Sequence, residues 1–175
     1  MSAKLWSKES GAIGFRSSAS AWSTPGTFFE RLDREFKFTL DPCASHENTT
    51  CNKYYTEEDD GLAQSWSGET VFMNPPYGRD IGMWLRKAHE ESKNKNTTVV
   101  CLIPARTDTK YWHDYVMKAV EIRLVKGRLK FGESKNAAPF PSAVVIFHGT
   151  WMETKLPPRI ATIHNEKKVK KSENK

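Results

Sequence analysis

The chain has 175 residues, about the size of one ordinary domain, which leaves little room for a second hydrophobic core. Hydrophobic residues make up 38% of it, and six Trp, five Tyr and nine Phe add large apolar surfaces, which excludes collagen-like, coiled-coil and wholly disordered chains. Its apolar runs are far shorter than the ~20 residues of a membrane-spanning helix, and no apolar segment follows the first Met. The sequence therefore predicts a soluble intracellular protein.

Positive charge exceeds negative charge. The 27 Lys and Arg residues outnumber the 21 Asp and Glu residues, which gives a net charge of +6. This balance favours a polyanionic partner, nucleic acid first, although a surface charge that only keeps the chain in solution explains it about as well.

The cysteines and histidines argue against a disulfide framework and against zinc. Cys43, Cys51 and Cys101 form no Cys-x-x-Cys pair, and the five histidines show no ligand spacing. We therefore expect no bound metal and no covalent catalysis by a Cys–His pair.

Apolar periodicity predicts alternating helices and strands between two polar ends. In chain order these are a helix over 25–36, strands over 38–40 and 71–73, a helix over 80–92, a strand over 97–103, a helix over 109–119, and strands over 121–125, 128–131 and 143–148. Residues 1–20 predict a flexible arm and residues 161–175 a basic flexible tail, which leaves one domain over 21–160.

This alternation indicates an α/β fold of Rossmann-like type, with a mostly parallel central sheet and helices on both faces. In such sheets ligands bind beyond the carboxyl ends of the strands. Asp41, Asn74 and Pro104 each stand at such an end.

The most informative stretch is Asn74-Pro75-Pro76-Tyr77, directly after a predicted strand. Two prolines stiffen the backbone and remove two N–H donors, so that the carbonyls stay available as acceptors. The Asn74 carboxamide oxygen is a second acceptor, and Tyr77 offers a flat face for stacking. Together they form a cradle for a planar group with an exocyclic amino group, although a rigid turn with an exposed Tyr would leave the same pattern.

Such a cradle suits methyl transfer to an aromatic amine. The lone pair of adenine N6 or cytosine N4 is delocalised into the ring, which makes the nitrogen a poor nucleophile. Two acceptors that hold its two N–H bonds favour a pyramidal nitrogen and direct the lone pair at an incoming methyl group. No strong general base is needed, because the proton can leave after the transfer.

This stretch resembles motif IV of the amino-methyltransferases that use S-adenosylmethionine, and the likeness continues along the chain. The matching stretches are Trp22-Ser23-Thr24-Pro25, Leu40-Asp41-Pro42-Cys43-Ala44, Tyr54-Tyr55-Thr56 with Asp60-Gly61-Leu62, Ile103-Pro104-Ala105-Arg106-Thr107-Asp108 and Phe140-Pro141-Ser142-Ala143. From about residue 22 to residue 147 the series resembles the phage-type DNA N6-adenine methyltransferases, the compact Dam-like family. The resemblance implies a methyltransferase fold, S-adenosylmethionine as cofactor and adenine N6 in double-stranded DNA as acceptor.

The resemblance also implies roles for individual residues. The catalytic positions are Asn74, Pro75, Pro76 and Tyr77. The cofactor positions are Trp22, Ser23, Thr24, Pro25, Asp41, Pro42, Cys43, Ala44 and Asp60. Asp41 would accept a hydrogen bond from the cofactor's ammonium, within a turn that lacks the usual Gly-rich loop, and Asp60 would hold the ribose or adenine. Alternatively, Asp41 only caps a strand end, and Ser23 and Thr24 only cap the first helix.

An adenine inside a duplex must be rotated out to reach the cradle, and stacking on Tyr77 would return ~1–3 kcal/mol of the cost. Backbone contacts are expected from Arg79, Arg106, Lys110, Lys126, Arg128, Lys130 and Lys135. Residues 126–132 alternate basic and apolar side chains as a hairpin does, and residues 132–141 predict a mobile loop. We expect this region to contact the target DNA, although a plain surface hairpin explains the pattern nearly as well. A GATC-type site and a relaxed specificity both stay open.

Two other functions fit part of the pattern. A glutamine-N5 protein methyltransferase faces the same amide chemistry, but the basic charge and the ordered series of stretches disfavour it. A DNA-binding relic of the fold is disfavoured by the intact stretch from Asn74 to Tyr77. We expect a monomer or weak dimer in the cytoplasm, that of the host cell if a phage encodes the chain, with protection from restriction as one role.

Overall fold

The computed structural model describes residues 23–149 and 156–165. Within these ranges the elements follow in the order α1 (Gly26–Phe36), β1 (Leu40–Asp41), β2 (Lys53–Tyr54), β3 (Thr70–Met73), α2 (Ile81–Glu91), β4 (Thr98–Pro104), α3 (Lys110–Asp114), a 3-10 turn (Val116–Lys118), β5 (Glu121–Lys126), β6 (Ser142–His148) and β7 (Arg159–His164). No helix in this part of the chain is long and apolar enough to cross a membrane.

The seven strands of the described ranges form one sheet in the order β2-β1-β3-β4-β6-β5-β7. Strand β6 runs antiparallel to both of its neighbours, and every other pair is parallel. The carboxyl ends of the six other strands therefore share one edge of the sheet, which we call the carboxyl edge. The mostly parallel Rossmann-like sheet is as predicted.

Helices cover both faces of the sheet, also as predicted. Successive side chains of a strand point to opposite faces, so Val99 and Cys101 of β4 pack with α2 and α3. Val100 and Leu102 of the same strand pack with α1. A strand that is buried on both sides needs an almost continuous apolar run, which explains the sequence of β4.

Two predicted elements differ from the structure. The helix expected over 109–119 is interrupted at Tyr115, whose backbone angles (φ −127°, ψ −51°) separate α3 from the 3-10 turn. The strand and hairpin expected around 126–132 do not form. Gly127, at φ +91°, turns the chain after β5, and Leu129 and Phe131 then bury their side chains in the core beside α1. Ala138 donates its backbone N–H to the Leu129 carbonyl at 2.8 Å.

The predicted domain boundary at residue 160 is also wrong, because it falls inside β7. Residues 161–164, predicted as part of the tail, pair with β5, and Ile163 is buried. This strand begins with an arginine that forms an ion pair with Glu121, and its mostly exposed, partly polar residues hide the strand pattern. Residues 1–20, predicted as the arm, and residues 166–175 of the predicted tail lie outside the described residues.

Gly61 fixes the path of the chain after β1. A Cβ atom at residue 61 would lie 1.9 Å from the Pro42 carbonyl oxygen, and the Gly61 carbonyl accepts a hydrogen bond from the Trp66 indole at 3.0 Å. The turn that follows Asp41 therefore rests directly on residue 61.

We expect Gly61→Ala to lower the free energy of unfolding by about 1–3 kcal/mol, because the new methyl group meets a backbone atom rather than a flexible side chain. Urea denaturation measures this change. Gly82→Ala in α2 is the matched control, since its Cβ would make an ordinary 3.5 Å contact with the Tyr111 Cβ and alanine favours a helix. Equal stability of Gly61→Ala and wild type would contradict this account of the turn.

Candidate functional site

A cavity of about 480 Å³ lies at the carboxyl ends of β1 and β3. Its wall includes Asp41 from the end of β1 and Asn74, Pro75 and Pro76 from the chain after β3. Parallel pairing of the two strands brings these segments together, because Leu40 lies opposite Val71. We call this the first cavity.

Most of the predicted cofactor residues meet at the first cavity. Its wall includes Ser23, Thr24, Asp41, Cys43 and Ala44. Pro42 is buried behind the wall, on Gly61, and Pro25 lines a neighbouring cavity. Trp22 lies outside the described residues.

Asp60 is not brought to the first cavity. It is exposed, and Glu57 and Glu58 occupy the wall instead. The turn from 57 to 60, in which the Asp60 N–H donates to the Glu57 carbonyl at 3.3 Å, places Glu57 and Glu58 toward the cavity. The sequence alone favours Asp60 and suggests only a solvated face for Glu57 and Glu58.

Asp41 is a buried carboxylate with several donors around it. Its side chain accepts from the Cys43 N–H at 3.3 Å and from the Thr50 hydroxyl and N–H at 2.9 and 3.3 Å. Burial raises the pKa of Asp41, while the hydrogen bonds from Thr50 and Cys43 act in the opposite direction. The residue thus caps the turn after β1 and also lines the first cavity. Thr50 was missed, because it lies in a polar loop without periodicity.

The Asn74 carboxamide is held at both ends. Its Nδ2 donates to Thr24 Oγ1 at 3.1 Å, and its Oδ1 accepts from the Tyr77 hydroxyl at 2.7 Å. Sequence reasoning found Asn74 and Tyr77 but did not connect Thr24 with either of them, because the two residues are 50 positions apart.

Tyr77 differs from the expected exposed stacking face. Its ring packs edge-to-face with Phe140 and Phe131, at centroid distances of 5.4 and 6.0 Å. Burial raises the pKa of Tyr77 well above its usual range, so the phenol stays neutral. Pro75 and Pro76 line the first cavity and Tyr77 does not. In this arrangement Tyr77 supports Asn74 rather than offering an open surface.

A second cavity, of about 850 Å³, shares Ser23 and Thr24 with the first. Its other wall comes from residues 131–139, and the Gly132 N–H donates to the Ser23 carbonyl at 2.8 Å. The segment before α1 therefore separates two neighbouring spaces.

Pro25, rather than Ser23 or Thr24, is the N-cap residue of α1, and it makes no side-chain capping hydrogen bond. The Pro25 carbonyl accepts from Phe28 and Phe29 N–H groups at 2.9 and 3.0 Å.

The seven basic residues predicted to bind DNA are all exposed. Arg79, Arg106 and Arg128 follow β3, β4 and β5, and therefore lie at the carboxyl edge; Lys126 is the last residue of β5. Of the other three, Lys110 forms an ion pair with Asp114. The Lys130 ammonium donates to the Lys135 backbone carbonyl at 3.1 Å.

The described residues contain no group of three or more His, Cys, Asp or Glu side chains that could hold a metal ion. Cys43, Cys51 and Cys101 are free thiols. Burial raises the pKa of Cys43 well above its usual range, so this residue enters the wall of the first cavity as a small neutral group.

Comparison with known proteins identifies the family. The family model described as DNA N-6-adenine-methyltransferase (Dam) matches residues 15–175. A DNA N-6-adenine-methyltransferase of Haemophilus phage HP1 is 33% identical over 140 residues, which cover 75% of this chain and 80% of the phage protein. A protein of the same name from Escherichia phage T1 is 33% identical over 110 residues, which cover 62% of this chain and 45% of the relative. The chain therefore belongs to the DNA N-6-adenine-methyltransferase (Dam) family.

Proposed function

We propose that the chain transfers a methyl group from S-adenosylmethionine to the N6 amino group of adenine in double-stranded DNA, with the adenine rotated out of the duplex. Membership of the Dam family supports methylation of adenine in DNA. The observation that carries the finer proposal is the Asn74 carboxamide, held between Thr24 and Tyr77 in the wall of a cavity at the carboxyl edge.

The first cavity fits the methyl donor in size and chemistry. Its volume of about 480 Å³ lies within the roughly 300–1,000 Å³ that small-molecule sites occupy. The Asp41 carboxylate in its wall suits an ammonium group, and the small side chains of Cys43 and Ala44 leave room for close approach. Glu57 and Glu58 suit ribose hydroxyl groups, a role that the sequence analysis gave to Asp60.

Asn74 would hold the methyl-accepting amine. A carboxamide oxygen has two lone pairs, so Oδ1 can accept from the Tyr77 hydroxyl and from one N6–H of adenine at the same time. Pro75 and Pro76 have no N–H groups that would compete for the backbone carbonyls of this stretch. One of these carbonyls can therefore accept the other N6–H. When bound, S-adenosylmethionine supplies an electrophilic methyl group, and the N6 proton is lost after transfer.

DNA would approach the carboxyl edge. Arg79, Arg106 and Arg128 lie there with exposed side chains, and the second cavity adjoins the first at Ser23 and Thr24. Phosphate contacts would offset the few kcal/mol that extrusion of a base costs. The second cavity would offer room beside the first for the extruded nucleotide.

The central experiment incubates the full chain with radiolabelled S-adenosylmethionine and either unmethylated duplex DNA or a protein mixture, and then sequences the methylated bases. We expect label in DNA as N6-methyladenine. Label in protein alone would favour a glutamine-N5 methyltransferase, and absence of both label and cofactor binding would favour a non-catalytic DNA-binding protein. The sequenced sites also distinguish a GATC-type specificity from a relaxed one.

We expect Asn74→Ala to abolish methyl transfer while the affinity for the cofactor stays within a few-fold of wild type. The reason is that the substitution removes an acceptor for the amine and leaves Asp41 in place. Isothermal titration calorimetry measures cofactor binding and the label assay measures transfer. Normal turnover by this variant would refute the acceptor role.

Asp41→Asn tests the buried carboxylate. Because the folded pKa of Asp41 is above its ordinary value of 3.8, the folded chain binds this proton more tightly, and stability falls as pH rises from about 3.8 through the folded pKa. The variant should gain stability relative to wild type over that pH range, and its cofactor affinity at neutral pH should fall.

Urea denaturation at several pH values measures this difference. Asp59→Asn is the control with the opposite sign, because hydrogen bonds from the Thr56 N–H and hydroxyl lower the pKa of Asp59. A difference in unfolding free energy that stays constant with pH would contradict the raised pKa of Asp41. Unchanged cofactor affinity would remove Asp41 from the proposed site.

Arg128→Ala should weaken DNA binding about equally for all sequences and reduce the salt slope of the binding constant by about 1, if Arg128 contacts one phosphate. Fluorescence anisotropy over a range of salt concentrations measures both. Lys95→Ala is the matched control: Lys95 is exposed and precedes β4, which places it at the opposite edge of the sheet. Equal slopes for wild type and Arg128→Ala would exclude this contact.

A further inference from the structure

We propose that Thr24 is a positioning residue for methyl transfer: together with the Tyr77 hydroxyl, its hydroxyl fixes which end of the Asn74 carboxamide faces the accepting amine. The inference rests on the proposed function and extends it to a residue that the sequence assigned to the cofactor or to a helix cap. The contact that carries it is the 3.1 Å hydrogen bond from Asn74 Nδ2 to Thr24 Oγ1.

The two ends of a carboxamide have nearly the same size but opposite hydrogen-bonding roles. An oxygen directed at an adenine amine accepts its N–H, whereas an –NH2 group in the same place would set donor against donor. Asn74 therefore needs a fixed orientation, which a carboxylate with its two equivalent oxygens would not need.

The distances around Asn74 indicate one orientation. The 2.7 Å contact with the Tyr77 hydroxyl has the length of an O–H···O bond, and the 3.1 Å contact with Thr24 has the length of an N–H···O bond. With the amide reversed, the Tyr77 proton would turn to the Leu102 carbonyl, which is farther away at 3.4 Å. A hydroxyl group both donates and accepts, so Thr24 could meet either end of the amide. The Tyr77 contact therefore favours the oxygen at its own end, and Thr24 holds the Nδ2 end.

Backbone anchors hold Thr24 in place for this role. On one side the Ser23 carbonyl accepts from the Gly132 N–H at 2.8 Å, and on the other the Pro25 carbonyl accepts from the first turn of α1. The Thr24 hydroxyl is not used as a helix cap. Its contact with Asn74 is therefore the role that the structure shows for this side chain.

The test compares Thr24→Val, which keeps the shape and removes the hydroxyl, with Thr24→Ser, which keeps the hydroxyl. Loss of one hydrogen bond predicts that kcat falls by about 3- to 10-fold in Thr24→Val, whereas Thr24→Ser stays within about 2- to 3-fold of wild type. The KM values for DNA and for S-adenosylmethionine should change little in Thr24→Val. Equal losses of kcat in both variants would overturn the proposal.

A second comparison separates positioning from a structural role. In an Asn74→Asp background either carboxylate oxygen can accept, so adding Thr24→Val should lower kcat by less than about 2-fold. A loss as large as that in the Asn74 background would refute positioning. If Asn74→Asp itself shows no turnover, the Val and Ser variants decide the question.

NMR gives a readout that does not depend on turnover. In the ligand-free chain, the side-chain amide protons of Asn74 should exchange with solvent faster in Thr24→Val than in wild type and Thr24→Ser. Equal exchange rates in all three proteins would show that Thr24 does not hold the amide. If the wild-type chain methylates no DNA, the proposed function fails, and these rates still support or overturn the contact with Thr24.

Discussion

The parallel pairing of β1 with β3 is the constraint on which the site depends. Asp41 and Asn74 are separated by 32 residues, and they face one cavity because Leu40 lies opposite Val71. Strand β1 is only two residues long, so a slip of one position would turn Asp41 to the other face of the sheet. Two backbone contacts resist such a slip: the Thr39 N–H donates to the Thr70 carbonyl at 2.8 Å and the Tyr55 N–H to the Asp41 carbonyl at 2.9 Å.

The buried carboxylate of Asp41 opposes the stability of the fold. Asp41 remains a buried carboxylate although burial disfavours its charge, and a neutral residue would cost the fold less. The hydrogen bonds from Thr50 offset part of that cost. In the proposed function the positive ammonium group of the methyl donor offsets more of it. An unfavourable buried charge at the end of a strand is expected in a ligand site and not in a hydrophobic core.

Sequence predicted the parts of this molecule in which local pattern determines structure. Continuous apolar runs identified β3, β4 and β6, and Asn74-Pro75-Pro76-Tyr77 identified the most informative part of the candidate site. The misses arise from contacts between distant residues. Tyr77 packs on Phe131 and Phe140, more than 50 positions away, and Thr24 meets Asn74 across a similar separation. The mostly exposed, partly polar residues of β7 gave no apolar run, and the roles of Trp22 and of the arm stay predictions.

The reversed direction of β6 keeps one long connection at the carboxyl edge of the sheet. Between parallel neighbours a connection must travel back along the sheet, usually as a helix. Because β5 and β6 are antiparallel, residues 127–141 leave and return at the same end of the sheet. No part of this segment has to cross back along the sheet, and residues 131–134 and 136–139 line a cavity with Ser23 and Thr24. Its exposed residues 132–137 can change in number and composition without disturbing strand order, whereas Leu129 and Phe131 are tied to the core.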